Sequence, residues 1–301
     1  RLHHFRFDLI EQSERPGSHY LWTFNLLFNR NLRRKIVMKI ATWNIHGGAA
    51  LPWYDNKVIK SEAVDRVMEV DADIFVITEF ALASGWDYLE EKMKENGYVW
   101  FSSFVSGSNG ILMLVKKNLI KDVNIMAKNL WWGKEALYSD NDIGLMRVSF
   151  VMKNEKTCTV CGFRMPVDNS KKEGREKYNE MGKILDEKIL PIAKECYSKN
   201  DVVIFAGDFN NARYLEDYSG KDQFEYNWQI LKKKFEGIGY RIIDIDDAER
   251  PIVTRNNPPS PIDHFFVKGF KKDKCDTIYS EYSDHYILIA EIKQPVPKIE
   301  V

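Results

Sequence analysis

The sequence predicts an α/β fold in which two β-sheets pack face to face with helices on the outside. Three observations carry this. Apolar, strand-like runs alternate with amphipathic helical ones along most of the chain. Two of those runs, 73–78 and 202–206, are continuously apolar, as strands covered on both faces are. Strands also outnumber the helices that could cross between them, whereas a single doubly wound sheet would alternate more regularly.

The elements follow in order. A first strand is expected over 36–43, ending at Asn44. Ile59, Ala63 and Val67 recur at helical spacing within 58–70, with charges between them. The 73–78 strand closes on Glu79, and 86–95 reads as a charged surface helix stopped by Asn96-Gly97. Strands follow at 99–104 and 111–115 around Ser106-Gly107-Ser108-Asn109-Gly110, then at 123–127, 145–152 and 157–163. The longest helix is expected over 173–190. Tyr178, Met181, Leu185 and Ile189 form its apolar stripe, and Pro191 ends or kinks it. After the 202–206 strand come a helix at 224–235, a strand at 241–245, a Pro-rich loop at 256–261, and two last strands at 262–267 and 286–292. No internal repeat or low-complexity tract interrupts the pattern.

Composition narrows the function. At 301 residues and 44% hydrophobic, the chain can bury a substantial core and is not a disordered one. Lys+Arg and Asp+Glu are equal at 44 each, so no whole-molecule field draws it to nucleic acid; a polynucleotide substrate needs a local basic patch. Of the four cysteines, Cys158 and Cys161 have zinc-like spacing. They lie on an expected strand, where residues three apart face opposite sides, and there is no second pair. They read as ordinary buried thiols, and a reducing, cytoplasmic setting is expected. No apolar run reaches membrane-spanning length, so no membrane partner is expected. Residues 1–37 begin without Met, lack a basic-then-apolar signal pattern and precede Met38. They are expected to be an N-terminal appendage, either non-native or a surface segment, with the main domain over 38–301.

Chemistry-bearing residues cluster where strands end, which is where sites are built. The clusters are Thr42-Trp43-Asn44, Thr78-Glu79, Gly207-Asp208-Phe209-Asn210, Ile262-Asp263-His264 and Ser283-Asp284-His285. Each alone has a plain structural reading. Asn or Asp closing a strand is turn chemistry, a Glu there caps a helix, and a lone His is a satisfied core or surface residue. Taken together and in this order, they resemble the successive signatures of the endonuclease/exonuclease/phosphatase superfamily, from Met38 to about Ile292. The Gly-Asp-Phe-Asn and Ser-Asp-His motifs are specific as a pair, but not for substrate.

The resemblance implies a four-layer sandwich of two packed mixed β-sheets flanked by helices, with the site where the sheets open at one end. It implies a metal-dependent phosphoesterase. Glu79 matches the metal-binding glutamate, with Asn44 beside it and Asp284 as a further contributor; magnesium is the expected cofactor, with manganese able to substitute. His285 and Asp263 match a histidine and its orienting aspartate. Asp208 matches the residue that positions or deprotonates the attacking water, and Asn210 the amide that holds a phosphate oxygen. Whether His285 or Asp208 is the base stays open. This inventory suits phosphoester hydrolysis, which needs an aligned water, charge stabilisation on the phosphoryl oxygens and help for the leaving group.

One position departs from the family. Many members carry a His or Tyr where this chain reads Gly162-Phe163-Arg164-Met165-Pro166. Arg164 is expected to clamp phosphate through its planar fork and cannot act as a general acid. An ion pair with a local carboxylate such as Asp168 is the competing reading. For the substrate, nucleic acid is favoured by Trp131, Trp132 and the basic group Lys171, Lys172, Arg175 and Lys177, although Glu173 and Glu176 interrupt that group. A phosphatase or phosphodiesterase of small-molecule or lipid phosphates is the alternative, weakened for inositol phosphates because 256–261 lacks a Cys-Asp-Arg triplet. A non-catalytic binding module is a third reading.

Overall fold

Two six-stranded sheets form the middle of this computed structural model. It describes residues 37–45, 58–80, 84–103, 110–121, 126–129, 144–165, 175–211, 226–243, 255–256 and 259–293. The first sheet is built from β1 (Val37–Asn44), β2 (Ile74–Phe80), β3 (Tyr98–Ser102), β4 (Gly110–Lys116), β13 (Lys271–Ile278) and β14 (Ile287–Lys293), in the order β13-β14-β1-β2-β4-β3. The second is built from β5 (Met126–Asn129), β6 (Gly144–Val151), β7 (Thr157–Arg164), β8 (Val202–Asp208), β9 (Arg241–Ile243) and β12 (Asp263–Lys268), in the order β5-β6-β7-β8-β12-β9. The short strands β10 (Arg255–Asn256) and β11 (Pro259–Ser260) pair with each other inside the stretch read from sequence as a loop. Helices α1 (Ser61–Val70) and α2 (Trp86–Glu95) belong to the first half of the chain, and α3 (Arg175–Ile184), α4 (Leu190–Lys199) and α5 (Trp228–Ile238) to the second.

The two continuously apolar runs are the centres of the two sheets. All seven residues of β2 and all seven of β8 are buried. Val202, Ile204 and Ala206 face the inter-sheet core with Ile40, Val76 and Met113. Val203 and Phe205 face the opposite way, against Leu185, Ala193 and Phe235 of the α3–α5 layer. On the far side, Trp43, Phe75 and Leu112 pack against Val67 and Leu89 of α1 and α2. Three apolar interfaces therefore separate four layers, the sandwich expected above. A side chain such as Phe205, wholly buried between layers, contributes on the order of 2–3 kcal/mol by area alone.

Some details differ from the sequence reading. The long helix does not stop before Pro191. α3 runs through a π-helical turn, Leu185–Ile189, into α4, which carries Pro191 in its first turn. Proline lacks the N–H donor and its ring crowds the carbonyl four residues back, and a wider turn just before it relieves both. Strand β13 was not anticipated. It is an edge strand with Lys271, Lys272, Lys274 and Asp276 and a register shift between Lys272 and Lys274, so it shows no clean alternation. Cys158 faces the inter-sheet core and Cys161 the helical layer, so the pair cannot converge on one ion. The cysteines are free. No helix among the described residues is long and apolar enough to cross a membrane.

Val37–Val301 forms one compact unit. Residues 1–36, together with His46-Gly47-Gly48, Trp131, Trp132, Asp168, Lys171 and Lys172, lie outside the described residues.

Topology gathers the polar strand ends. β1 and β2 run parallel, and so do β7 and β8, which brings Asn44 beside the end of β2 and sets Arg164 opposite Asp208. β12 is antiparallel to β8 and starts where β8 ends, with Asp263 opposite Asp208.

Candidate active site

Glu79, the last charged residue of β2, is almost wholly buried and has a left-handed backbone at φ 52. The β2–β4 register slips between Ile77 and Phe80, so the carboxylate leaves the regular pleat at the strand end. A charged residue held in that conformation is a mark of a site whose surroundings over-determine it. Asn44, on the neighbouring parallel strand, donates its amide Nδ2 to Glu79 Oε1 at 2.9 Å and to Asp208 Oδ2 at 2.9 Å. One side chain thus ties the two sheets together across the opening. Arg164, at the end of β7, donates Nε to the same Glu79 oxygen at 2.8 Å. Its guanidinium therefore pairs with the carboxylate expected to hold a metal. Its side chain retains 20% of its exposure, against 6% for Glu79.

Asp208 ends the fully buried strand β8. The preceding Gly207 has φ 144, and a Cβ there would lie 1.8 Å from the Phe163 carbonyl oxygen, so only glycine lets β8 approach β7 this closely. Asp208 Oδ1 accepts the Asn210 backbone N–H at 2.8 Å. Asn210 is left-handed at φ 43, a conformation Asn tolerates, and its Nδ2 donates to the Met165 carbonyl at 2.9 Å. Burial, reinforced by the neighbouring Asp263 charge, pushes the Asp208 carboxyl up to about 6, while His285 and Arg164 pull the other way.

His285 and Asp263 form a buried pair, with Nδ1 2.8 Å from Asp263 Oδ2. Burial disfavours the charged imidazole, but the charge and hydrogen bond of Asp263 outweigh it and raise His285 to about 9. Nδ1 then donates to Asp263, and Nε2 carries a proton 4.0 Å from Asp284 Oδ1. The loop carrying this histidine is locked to β1. Ser283 Oγ donates to the Asn44 carbonyl at 2.6 Å and accepts the His285 N–H at 3.1 Å, and Trp43 Nε1 donates to the His285 carbonyl at 3.0 Å. Ser283 and Trp43 stood in the quoted motifs without an assigned role; a hydroxyl two residues before a buried histidine was the available signal.

The eight residues singled out from sequence are brought to one end of the sandwich. Asn44, Glu79, Arg164 and Asp208 are linked by hydrogen bonds across the sheets, Asn210 is bonded to Asp208, and Asp263 with His285 adjoins Asp208 through the β8–β12 register. Among the described residues no group of three or more His, Cys, Asp and Glu is gathered as a cage for a metal. The donors present still suit a hard cation. Magnesium commonly takes one or two protein carboxylates and fills its other positions with waters and phosphate oxygen. The Glu79 carboxylate and the Asn44 amide oxygen are ligands of that kind.

A model of the Endonuclease/Exonuclease/phosphatase family matches residues 41–285. No curated protein sequence matches the chain. Solved structures share its fold at low identity. ANGEL2, a 2',3'-cyclic phosphatase, in complex with adenosine-2',3'-vanadate superposes with TM-score 0.57 at 13% identity, covering 87% of this chain and 97% of that one. Truncated Caenorhabditis elegans TDP2 superposes with TM-score 0.59 at 13% identity, covering 86% and 98%. D. rerio TDP2 complexed with single strand DNA product superposes with TM-score 0.56 at 13% identity, covering 85% and 98%.

Proposed function

This chain belongs to the endonuclease/exonuclease/phosphatase family of phosphate-ester hydrolases, and from that premise we propose that it is a magnesium-dependent phosphodiesterase acting on nucleic acid. Members of the family are generally dependent on a divalent metal. The observation that carries the proposal is the hydrogen-bonded bridge from Glu79 through Asn44 to Asp208, with the His285–Asp263 pair beside it. Glu79 and Asn44 would hold the magnesium, which would supply charge stabilisation for a phosphoryl group.

The chain's own residues divide the remaining work. Asp208, held by N–H donors from Asn44 and Asn210, orients the attacking water and accepts its proton. His285, kept charged and oriented by Asp263, donates a hydrogen bond to the phosphoryl group and gives its Nε2 proton to the leaving oxygen as the P–O ester bond breaks. Asn210 offers its amide to a phosphate oxygen. Arg164, bound to Glu79 through Nε and partly exposed, offers its two terminal nitrogens to a phosphate bidentately.

Support for a nucleic-acid substrate is the company the fold keeps: one relative is solved with an adenosine vanadate and another with a single strand DNA product. On α3, Arg175, Lys177 and Lys183 stand against Glu176 and Glu180, a small excess of positive charge following Arg164 in sequence. The test is a panel of single- and double-stranded DNA, RNA, inositol phosphates and sphingomyelin, each with magnesium and with chelator. Magnesium-dependent cleavage of DNA or RNA is the expected result. Release of phosphate from a small monoester, with every polynucleotide intact, would assign the site to the small-molecule alternative.

A further inference from the structure

Beside the proposed site lies a second buried histidine that the mechanism does not use. His264 follows Asp263 on β12, but alternation turns it to the other face of the sheet, into the helical layer. Its ring stacks on Trp228, at the start of α5, with centroids 4.2 Å apart and planes 20° apart. Its Nε2 is 2.7 Å from Asn211 Oδ1. Asn211 in turn donates its Nδ2 to the Pro261 carbonyl at 3.4 Å. With the amide nitrogen spent on a carbonyl, Asn211 Oδ1 is the acceptor and His264 Nε2 the donor, which sets the tautomer. Burial holds His264 neutral, down at about 3, so this single N–H is retained at any working pH.

Asn211 sits just past the segment that must be held still. Asp208, Phe209 and Asn210 leave β8 as a turn with Asn210 in the left-handed region, which Asn adopts more readily than most residues with a side chain. Phe209 N–H donates to the Ile262 carbonyl at 2.8 Å, so the same two segments already touch upstream. The Asn211 bonds close the other end, clamping the Asp208–Asn211 turn onto Pro261–His264, the entry to β12 that carries Asp263. Two groups from separate strand ends, Asp208 and Asp263, thereby share one support.

We propose that His264 and Asn211 are a positioning pair that fixes the Asp208–Asn210 turn against the Asp263 strand start. This rests on the reading of Asp208 and Asn210 as reacting-site groups. His264 touches no reacting atom. It acts by leaving the turn a single backbone conformation, so that the Asp208 carboxylate and the Asn210 amide keep their mutual geometry.

The full chain tests this through His264→Phe, which keeps an aromatic ring on Trp228 and removes the donor, and His264→Gln, which restores an N–H of similar reach. Hydrogen exchange of the Asn210 amide is compared with that of Val76 in the other sheet, and kcat and KM are measured on bis(4-nitrophenyl) phosphate with magnesium. In His264→Phe, Asn210 is expected to exchange roughly tenfold to a hundredfold faster with Val76 unchanged. Turnover should fall by a similar factor while KM stays within about twofold, and His264→Gln should recover most of both. Wild-type exchange at Asn210 and unchanged kcat in His264→Phe would overturn the proposal. So would an equal loss of protection at Val76, which would make His264 ordinary core packing. Should His264→Phe not fold, Asn211→Ala removes the same bond and is read in the same way. A wild-type chain inert towards the diester would count against the hydrolase reading alone, because the exchange comparison decides the positioning pair without turnover.

Discussion

Removing the Arg164 side chain should expose how the site balances its charge. Glu79 retains 6% of its side-chain exposure and Arg164 20%, with Nε 2.8 Å from the carboxylate. Deleting one partner of a buried ion pair costs about 3–5 kcal/mol, because the other charge is left in a poor solvent. The Arg164 side chain is the less buried of the two, and Asn44 still donates to the same Glu79 oxygen at 2.9 Å. Those two facts bring the expected loss for Arg164→Ala down to about 2 kcal/mol, or roughly 4–8 °C in Tm for a domain of this size. That figure applies in chelator. Magnesium at a hundred times Kd stabilises either background by about 2.7 kcal/mol, but in wild type it competes with the Arg164 guanidinium for Glu79; a variant that binds it roughly tenfold more tightly gains about 1.4 kcal/mol more. The gap between Arg164→Ala and wild type, measured by urea denaturation, should therefore shrink to under about 1 kcal/mol when magnesium replaces chelator. Glu79→Gln should abolish the magnesium response in both backgrounds. An Arg164→Ala chain as stable as wild type in chelator, or a gap indifferent to magnesium, would refute the reasoning.

Four further outcomes are expected. His285→Ala and Asp263→Ala should each lower turnover by about three orders of magnitude, and the double variant little more than His285→Ala; full additivity would break the pair. The folded pKa of His285 lies above its unfolded value, so its contribution to stability is complete below about 6.5 and lost as pH rises through about 9. The urea midpoint difference between wild type and His285→Gln should follow that curve between pH 6 and 10, and a flat difference would refute it. Asp208 is also raised, to about 6, so its contribution is present below 3.8 and lost as pH climbs through about 6; Asp208→Asn should gain on wild type by about 2–3 kcal/mol between pH 4 and 8 while turnover collapses, and unchanged relative stability would contradict the burial argument. Raising salt should increase KM for a polynucleotide far more than for a small diester, and equal responses would remove the electrostatic contribution to substrate binding.

What was legible in the sequence was local. The 73–78 and 202–206 runs announce strands buried on both faces because nothing polar interrupts them, and they became the sheet centres β2 and β8. Polar residues that break such runs at their ends, Asn44, Glu79, Asp208, Asp263 and His285, are conspicuous for the same reason. Burial there costs free energy unless another group compensates.

The compensating groups were decided by tertiary structure alone. Arg164 finds Glu79 85 positions away, and Asn44 finds Asp208 164 positions away. Periodicity reports which face of an element is dry, not which distant atom meets it. Strand β13 escaped because its edge position half-buries only two apolar residues, Cys275 and Ile278, among lysines and aspartates, too few for a readable alternation, and the π turn before Pro191 because the local pattern marks a disturbance without saying how the backbone absorbs it. His264 and Asn211 show the same division: each stands beside a recognised motif residue, yet strand alternation sends His264 to the opposite face from Asp263. Which partner waits on that face is set by the packing of α5 and the turn after β8, contacts made between segments 53 positions apart.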